Sequence, residues 1–170
     1  LVTQSKSYAQ IQREAAAFRE AGHAAAAWNE GILLEPLSVK KRGQRIRENA
    51  WNQPLTGINT KWVQAARPDM LIERLAFVCL AGPVAERRRL PRVPRESVHQ
   101  RRIRNAEALL GHIVDSREAR LKKRRKLESK AEAMFQRRDV WTSIEKLAQT
   151  LLERGTLTGE ETVQILERTI

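Results

Sequence analysis

A mainly helical domain with a short β element after its first helix is the fold this sequence predicts. Three observations carry that expectation. Ala, Leu, Glu, Arg and Lys dominate while aromatic residues make up only 5%, a mixture that favours helices over sheets. Apolar residues recur at spacings of three and four over several long segments. Eight Gly and six Pro in 170 residues are too few to interrupt the chain often. The apolar fraction of 41% is sufficient for one buried core. A single domain over 1–170 is therefore expected, with residues 1–86 as a first part and 96–170 as a C-terminal helical part.

The elements follow in order. Residues 8–29 read as one helix, because Tyr8, Ile11, Ala15, Phe18, Gly22 and Ala26 stripe one face. Asn29 and Gly31 end it. Residues 32–39 look extended, and Pro36 removes a backbone donor, so an edge or broken strand is expected there. Lys40–Gly43 reads as a basic turn, and 44–67, with Trp51, Pro54, Gly57 and Trp62, as loops with a helical turn or two. Pro68-Asp69 opens a helix to about Ala85, with Ile72, Leu75, Ala76, Cys79 and Leu80 as its buried stripe and Gly82-Pro83 near its end. Residues 87–95 read as a basic connector. Ser97 opens a helix to about Ile113, and a very basic helix spans roughly 117–137. Val140, Trp141, Ile144, Leu147, Ala148, Leu151 and Leu152 mark an amphipathic helix stopped by Gly155. Thr158-Gly159-Glu160-Glu161 is a capping box for a last short helix through Leu166.

Composition also narrows the function classes. A lone cysteine, Cys79, excludes an internal disulfide and a multi-cysteine zinc site. Its apolar surroundings predict a buried, inert thiol, and a reducing, cytoplasmic setting is expected. No stretch approaches the ~18 apolar residues of a membrane span. No phosphate-cradling G-x-x-x-x-G-K-[ST] loop occurs, so no ATP site is expected. The net charge is +12, and residues 87–130 carry almost all of it, with 16 Lys and Arg against 5 Asp and Glu. Arg87, Arg88, Arg89, Arg101, Arg104, Lys122, Lys123, Arg124 and Arg125 are the candidate patch for an acidic protein partner or nucleic acid. Few aromatics are interleaved and no base-reading motif is present, so a solvated face is the competing reading.

The segment with chemical content is Arg19-Glu20-Ala21-Gly22-His23, inside the first helix. In the zinc-peptidase pattern H-E-x-x-H, two imidazoles one helical turn apart bind one metal, and the Glu acts as general base on metal-bound water. Here the Glu and the second His are present and the first His is not. Glu-x-x-His alone is common by chance, and a surface Glu beside a partly buried His is its bland reading.

The surrounding residues carry a resemblance. Ala17-Phe18-Arg19-Glu20-Ala21-Gly22-His23-Ala24 resembles the active-site helix of FtsH-type zinc metallopeptidases, Leu80-Ala81-Gly82-Pro83-Val84-Ala85-Glu86 resembles that family's G-G-x-A-A-E segment, and Trp141 to Glu161 resembles its C-terminal helix and L-x-G-E-E ending. The resemblance implies a helical FtsH-peptidase-like domain, without the ATPase module, whose two- or three-stranded β element follows the first helix. It implies Glu20 as catalytic base and His23 as a metal ligand. It also implies peptide hydrolysis by metal-activated water, with an unfolded peptide or protein partner extended along residues 32–39.

Two departures qualify that implication. The first zinc-ligand His of the family falls on Arg19, and the third ligand, an Asp, aligns on Arg102. A guanidinium has no lone pair for a metal. The expectation is therefore a degenerate site in which zinc is weakly held or absent and Arg19 or Arg102 replaces the metal cation. Arg102 is the better-placed partner for Glu20, because neighbours on one helix rarely face each other. The alternative is an active peptidase in which His99, on the same helical face as Arg102, replaces a ligand.

Overall fold

The computed structural model describes residues 6–34, 36–39, 68–92 and 97–170. The expected basic turn at Lys40–Gly43 and the loops around Trp51 and Trp62 lie outside the described residues. In chain order the elements are α1 (Tyr8–Asn29), β1 (Leu37–Ser38), α2 (Pro68–Arg89), α3 (Ser97–Leu110), α4 (Arg117–Gln136), α5 (Arg138–Arg154), β2 (Thr156–Leu157) and α6 (Gly159–Glu167). The domain is mainly α-helical, as its composition predicts, with one two-stranded antiparallel sheet among the described residues.

Helix α1 starts at a capping box: Ser7 Oγ accepts from the Gln10 amide, and the Gln10 side chain accepts from the Ser7 amide at 2.7 Å. Its first two turns project past the core, so Tyr8 is exposed rather than part of a buried stripe. From Ala17 to Ala27 every residue is buried. The helix therefore runs through the middle of the domain, against α2 on one side and α5 on another, and also touches α6 and β1. An element covered on several sides needs small residues, and Ala21, Ala24, Ala25, Ala26 and Ala27 supply them. Where α1 crosses α2, a Cβ on Gly22 would lie 2.5 Å from the Ala85 Cβ and one on Gly82 would lie 2.4 Å from the His23 ring. The two glycines let the backbones approach to that distance.

Helix α2 continues to Arg89, past the expected end at Ala85. Pro83 lies inside it and withdraws the N–H that would bond the Cys79 carbonyl. The helix persists because Leu75 to Glu86 is buried on every turn, so packing outweighs the local preference to break. The connector expected at 87–95 is thereby corrected: Arg87, Arg88 and Arg89 form the last turn of α2, where cations suit the carbonyl end of a helix.

Helix α3 ends at Leu110, three residues before the expected end, in a turn where Ile113 N bonds Leu110 O. Ser116 caps α4 through the Ala119 amide. Helix α5 buries Val140, Ile144, Leu147, Ala148 and Leu151 and stops at left-handed Gly155, as expected. Trp141 stacks on Phe18 with ring centroids 5.9 Å apart and approaches Phe135 at 6.2 Å, which fixes α5 against both α1 and α4.

Among the described residues, the extended segment expected at 32–39 contributes Leu37–Ser38 to a sheet. Its partner, β2, lies in the turn between α5 and α6, a strand that periodicity does not reveal. Leu37 pairs with Leu157 and Ser38 with Thr156, and Val39 N bonds Gly155 O at 2.9 Å. Thr158 then caps α6 with the expected box: its hydroxyl accepts from the Glu161 amide and its own amide bonds the Glu161 carboxylate at 2.8 Å.

Candidate functional site

The chemistry-bearing residues of α1, α2 and α3 meet in the interior. On α1 they are Arg19, Glu20 and His23, all buried. Glu86 arrives from α2, and His99 and Arg102 arrive from α3, where the spacing of three puts both on one face. Arg102, at 2% exposure, is the largest fully buried side chain among the described residues.

These groups sort into two ion-paired sets. Arg102 Nη2 donates to Glu20 Oε1 at 3.1 Å, the pairing that helix geometry favours. Arg19, which cannot turn toward its neighbour Glu20, donates instead through Nη1 to Glu86 Oε2 at 2.8 Å. His99 Nδ1 bonds the same Glu86 oxygen at 3.1 Å. Burial pushes the Glu86 carboxyl up, but the hydrogen bond from His99 and the Arg19 guanidinium outweigh it and hold the group below the usual glutamate value. Glu86 therefore stays a carboxylate, with Arg19 and His99 among its partners. It was not among the candidate site residues, although it closes the Leu80–Glu86 segment. The signal for it is an acid at the end of an apolar helical run, which cannot be buried without a cation.

His23 stands apart from both sets. Its Nδ1 lies 2.7 Å from the Val78 carbonyl, which can only accept, so Nδ1 carries the proton and Nε2 holds the lone pair. Burial, together with the positive charges of Arg102 and Arg19, outweighs that bond and lowers its pKa well below 6.5, so the ring is neutral. Its Nε2 has no hydrogen-bond partner among the described residues, and neither do Glu20 Oε2, Arg102 Nε and Nη1, and Arg19 Nε. Buried polar atoms without partners are rare and costly, roughly 1–3 kcal/mol each. Five of the nine such atoms among the described residues lie on Arg19, Glu20, His23 and Arg102.

The charges decide what this site can hold. Arg19, Arg102, Glu20 and Glu86 sum to zero. A divalent cation added beside them would leave two uncompensated positive charges in the interior, which is strongly unfavourable. Among the described residues no group of three His, Cys, Asp or Glu is arranged to hold a metal. His99 is engaged with Glu86 rather than set beside His23 as a second ligand. The described residues do not fit a catalytic zinc.

Cys79 is buried next to this cluster, and burial raises its thiol to about 11, so it is the unreactive thiol its surroundings predict. The basic residues are divided. Arg87 reaches Glu132 at 3.3 Å, Arg88 lies over the Trp141 ring, and Arg89 bonds Glu14 at 2.9 Å and covers the Phe18 ring. Lys123 bonds Glu73 at 2.6 Å, and Arg124 touches Glu107. Arg101 is half-buried, whereas Arg104, Lys122 and Arg125 face solvent. The run of cations is thus not one continuous patch: about half of it is consumed in holding helices together. Among the described residues, no helix is long and apolar enough to cross a membrane. No protein-family profile matches the chain, and no curated protein matches it significantly.

Proposed function

We propose that this chain is an FtsH-peptidase-like domain that has exchanged its metal centre for buried ion pairs and serves as a binding module rather than a hydrolase. The observation that carries the proposal is the Arg102–Glu20 pair: the carboxylate that would activate water is instead hydrogen-bonded to a buried guanidinium. Arg19, at the other position where the resemblance puts a ligand, is neutralised by Glu86. The orientation of His23 supports the kinship. Metal-ligating histidines donate their second ring N–H to a carboxylate or a backbone carbonyl, and His23 does so to Val78 while its lone pair stays free. A ligand's posture thus survives beside substituted partners. Binding of an extended peptide is supported by β1, which has β2 on one edge and no strand on the other among the described residues.

Metal analysis tests the proposal. Purified protein exposed to zinc and then desalted will hold well under one zinc per chain. Stoichiometric zinc that disappears with His23→Ala or His99→Ala would overturn the ion-pair reading in favour of a peptidase with a replaced ligand. The reverse experiment rebuilds the site. Arg19→His alone leaves Arg102 on Glu20 and will take up no zinc, whereas Arg19→His with Arg102→Asp supplies two ligands and removes both cations. Zinc uptake by the double variant, shown to melt cooperatively, supports the kinship; a folded double variant that binds none argues against it.

A further inference from the structure

The geometry points to the outer face of α4 as a docking surface for the phosphate backbone of a nucleic-acid duplex, with Lys122, Arg125 and Lys126 as the contacting cations. This helix carries seven Lys and Arg between 120 and 130; Arg120 is half-buried beside Gly111, and the fold treats the other six in two ways. Those turned toward neighbouring helices are neutralised: Lys123 by Glu73 of α2, Arg124 by Glu107 of α3 and Glu128 of its own helix, and Lys130 by Glu30 at the end of α1. Lys122, Arg125 and Lys126 are exposed and engage no acid among the described residues. Their spacings of three and four put them on one side of the helix, opposite the buried Leu127, Ala131 and Phe135. Lys122 and Lys126 stand about 6 Å apart along the axis.

The chemistry of that face selects the partner. A protein interface needs an apolar or aromatic centre and is depleted in Lys, yet none of the exposed large hydrophobic residues lies on α4. Insertion into a lipid surface needs an apolar helix face that is free, and the apolar face of α4 is committed to the core. A single strand is held by aromatic stacking platforms, which this face also lacks. What remains is what phosphate contacts require: point charges at helical spacing that can neutralise a backbone without reading bases. These cations lie apart from Arg19 and Arg102, so this inference stands or falls separately from the loss of the metal centre.

Fluorescence anisotropy with a labelled, mixed-sequence DNA duplex tests it. Three phosphate contacts give a log–log salt slope near −2.7, so affinity will fall roughly 40-fold between 50 and 200 mM salt. The triple variant Lys122→Glu, Arg125→Glu, Lys126→Glu changes only exposed positions and will abolish binding while keeping the wild-type melting curve. Lys123→Gln, at a cation already held by Glu73, will leave the slope unchanged. Absence of duplex binding by the wild type at 50 mM salt overturns the inference, as does binding that survives in the triple variant. Tighter binding to the single strand, to vesicles of phosphatidylcholine and phosphatidylserine, or to poly-glutamate than to the duplex at 200 mM salt also overturns it.

Discussion

The interior formed by α1, α2 and α3 and the surface of α4 are both built from arginines, lysines and glutamates, and they use them in opposite ways. In the interior, Arg19 and Arg102 each hold a carboxylate, and the four charges cancel. On α4 the inward cations are neutralised across helix boundaries while Lys122, Arg125 and Lys126 remain in water. A buried charge must be cancelled because desolvation is expensive, and an exposed one need not be. The same side chain is therefore a structural element in one place and a potential contact in the other, and burial decides which.

The largest expected effect breaks the interior pair. Arg102→Met leaves Glu20 buried and alone, and urea unfolding will show a loss of about 3–5 kcal/mol. Adding Glu20→Leu to that variant removes the orphaned charge and will restore most of the stability, since replacing both partners with apolar groups is often near neutral. Equal losses in the single and double variants would mean that packing, not charge, is what Arg102 contributes. The next effect probes the close approach beneath the site. Gly82→Ala will destabilise by about 1–3 kcal/mol because its Cβ meets the His23 ring at 2.4 Å, even though alanine is the better helix former. In a His23→Ala background that penalty will shrink, and a double-mutant cycle measures the coupling.

Acid sharpens the contrast further. His23 stays neutral in the folded domain well below 6.5, whereas the unfolded chain takes up its proton near 6.5. Below 6.5 the unfolded state thus binds more protons, so stability is lost as pH falls, at up to about 1.4 kcal/mol per pH unit for this one group. Glu86, whose folded pKa lies below its usual 4.5, adds a second loss in the same direction as pH drops below 4.5. His23→Gln will flatten the profile just below 6.5, and chemical denaturation across pH reads this directly. The smallest effects belong to α4: Lys123→Ala will cost less than about 1 kcal/mol, and Lys122→Ala will stay within about 0.5 kcal/mol of wild type.

Legibility in the sequence divides along similar lines. The caps of α1 and α6, the stop at Gly155 and the burial of the Val140–Leu151 stripe follow from residues within one or two turns of each other. The Arg102–Glu20 pair was foreseeable because helix geometry denies Arg19 its neighbour. The role of Glu86 was not, since its partners Arg19 and His99 are 67 and 13 residues away. The extension of α2 from Ala85 to Arg89 and the short strand β2 were equally hidden: one carries the helix into a basic run that reads as a connector, and the other exists only because β1 lies beside it.

The amino-acid order by itself determined where most helices begin and end and which faces are apolar, because capping and periodicity are short-range and each residue's chemistry suffices. It also determined that two guanidiniums stand where the resemblance puts metal ligands. Only the tertiary structure decided which carboxylate each one holds, that His23 is neutral with a free lone pair, and which cations of α4 are left to solvent. Those outcomes depend on desolvation and on distances between helices, and neither quantity is defined until the chain has folded.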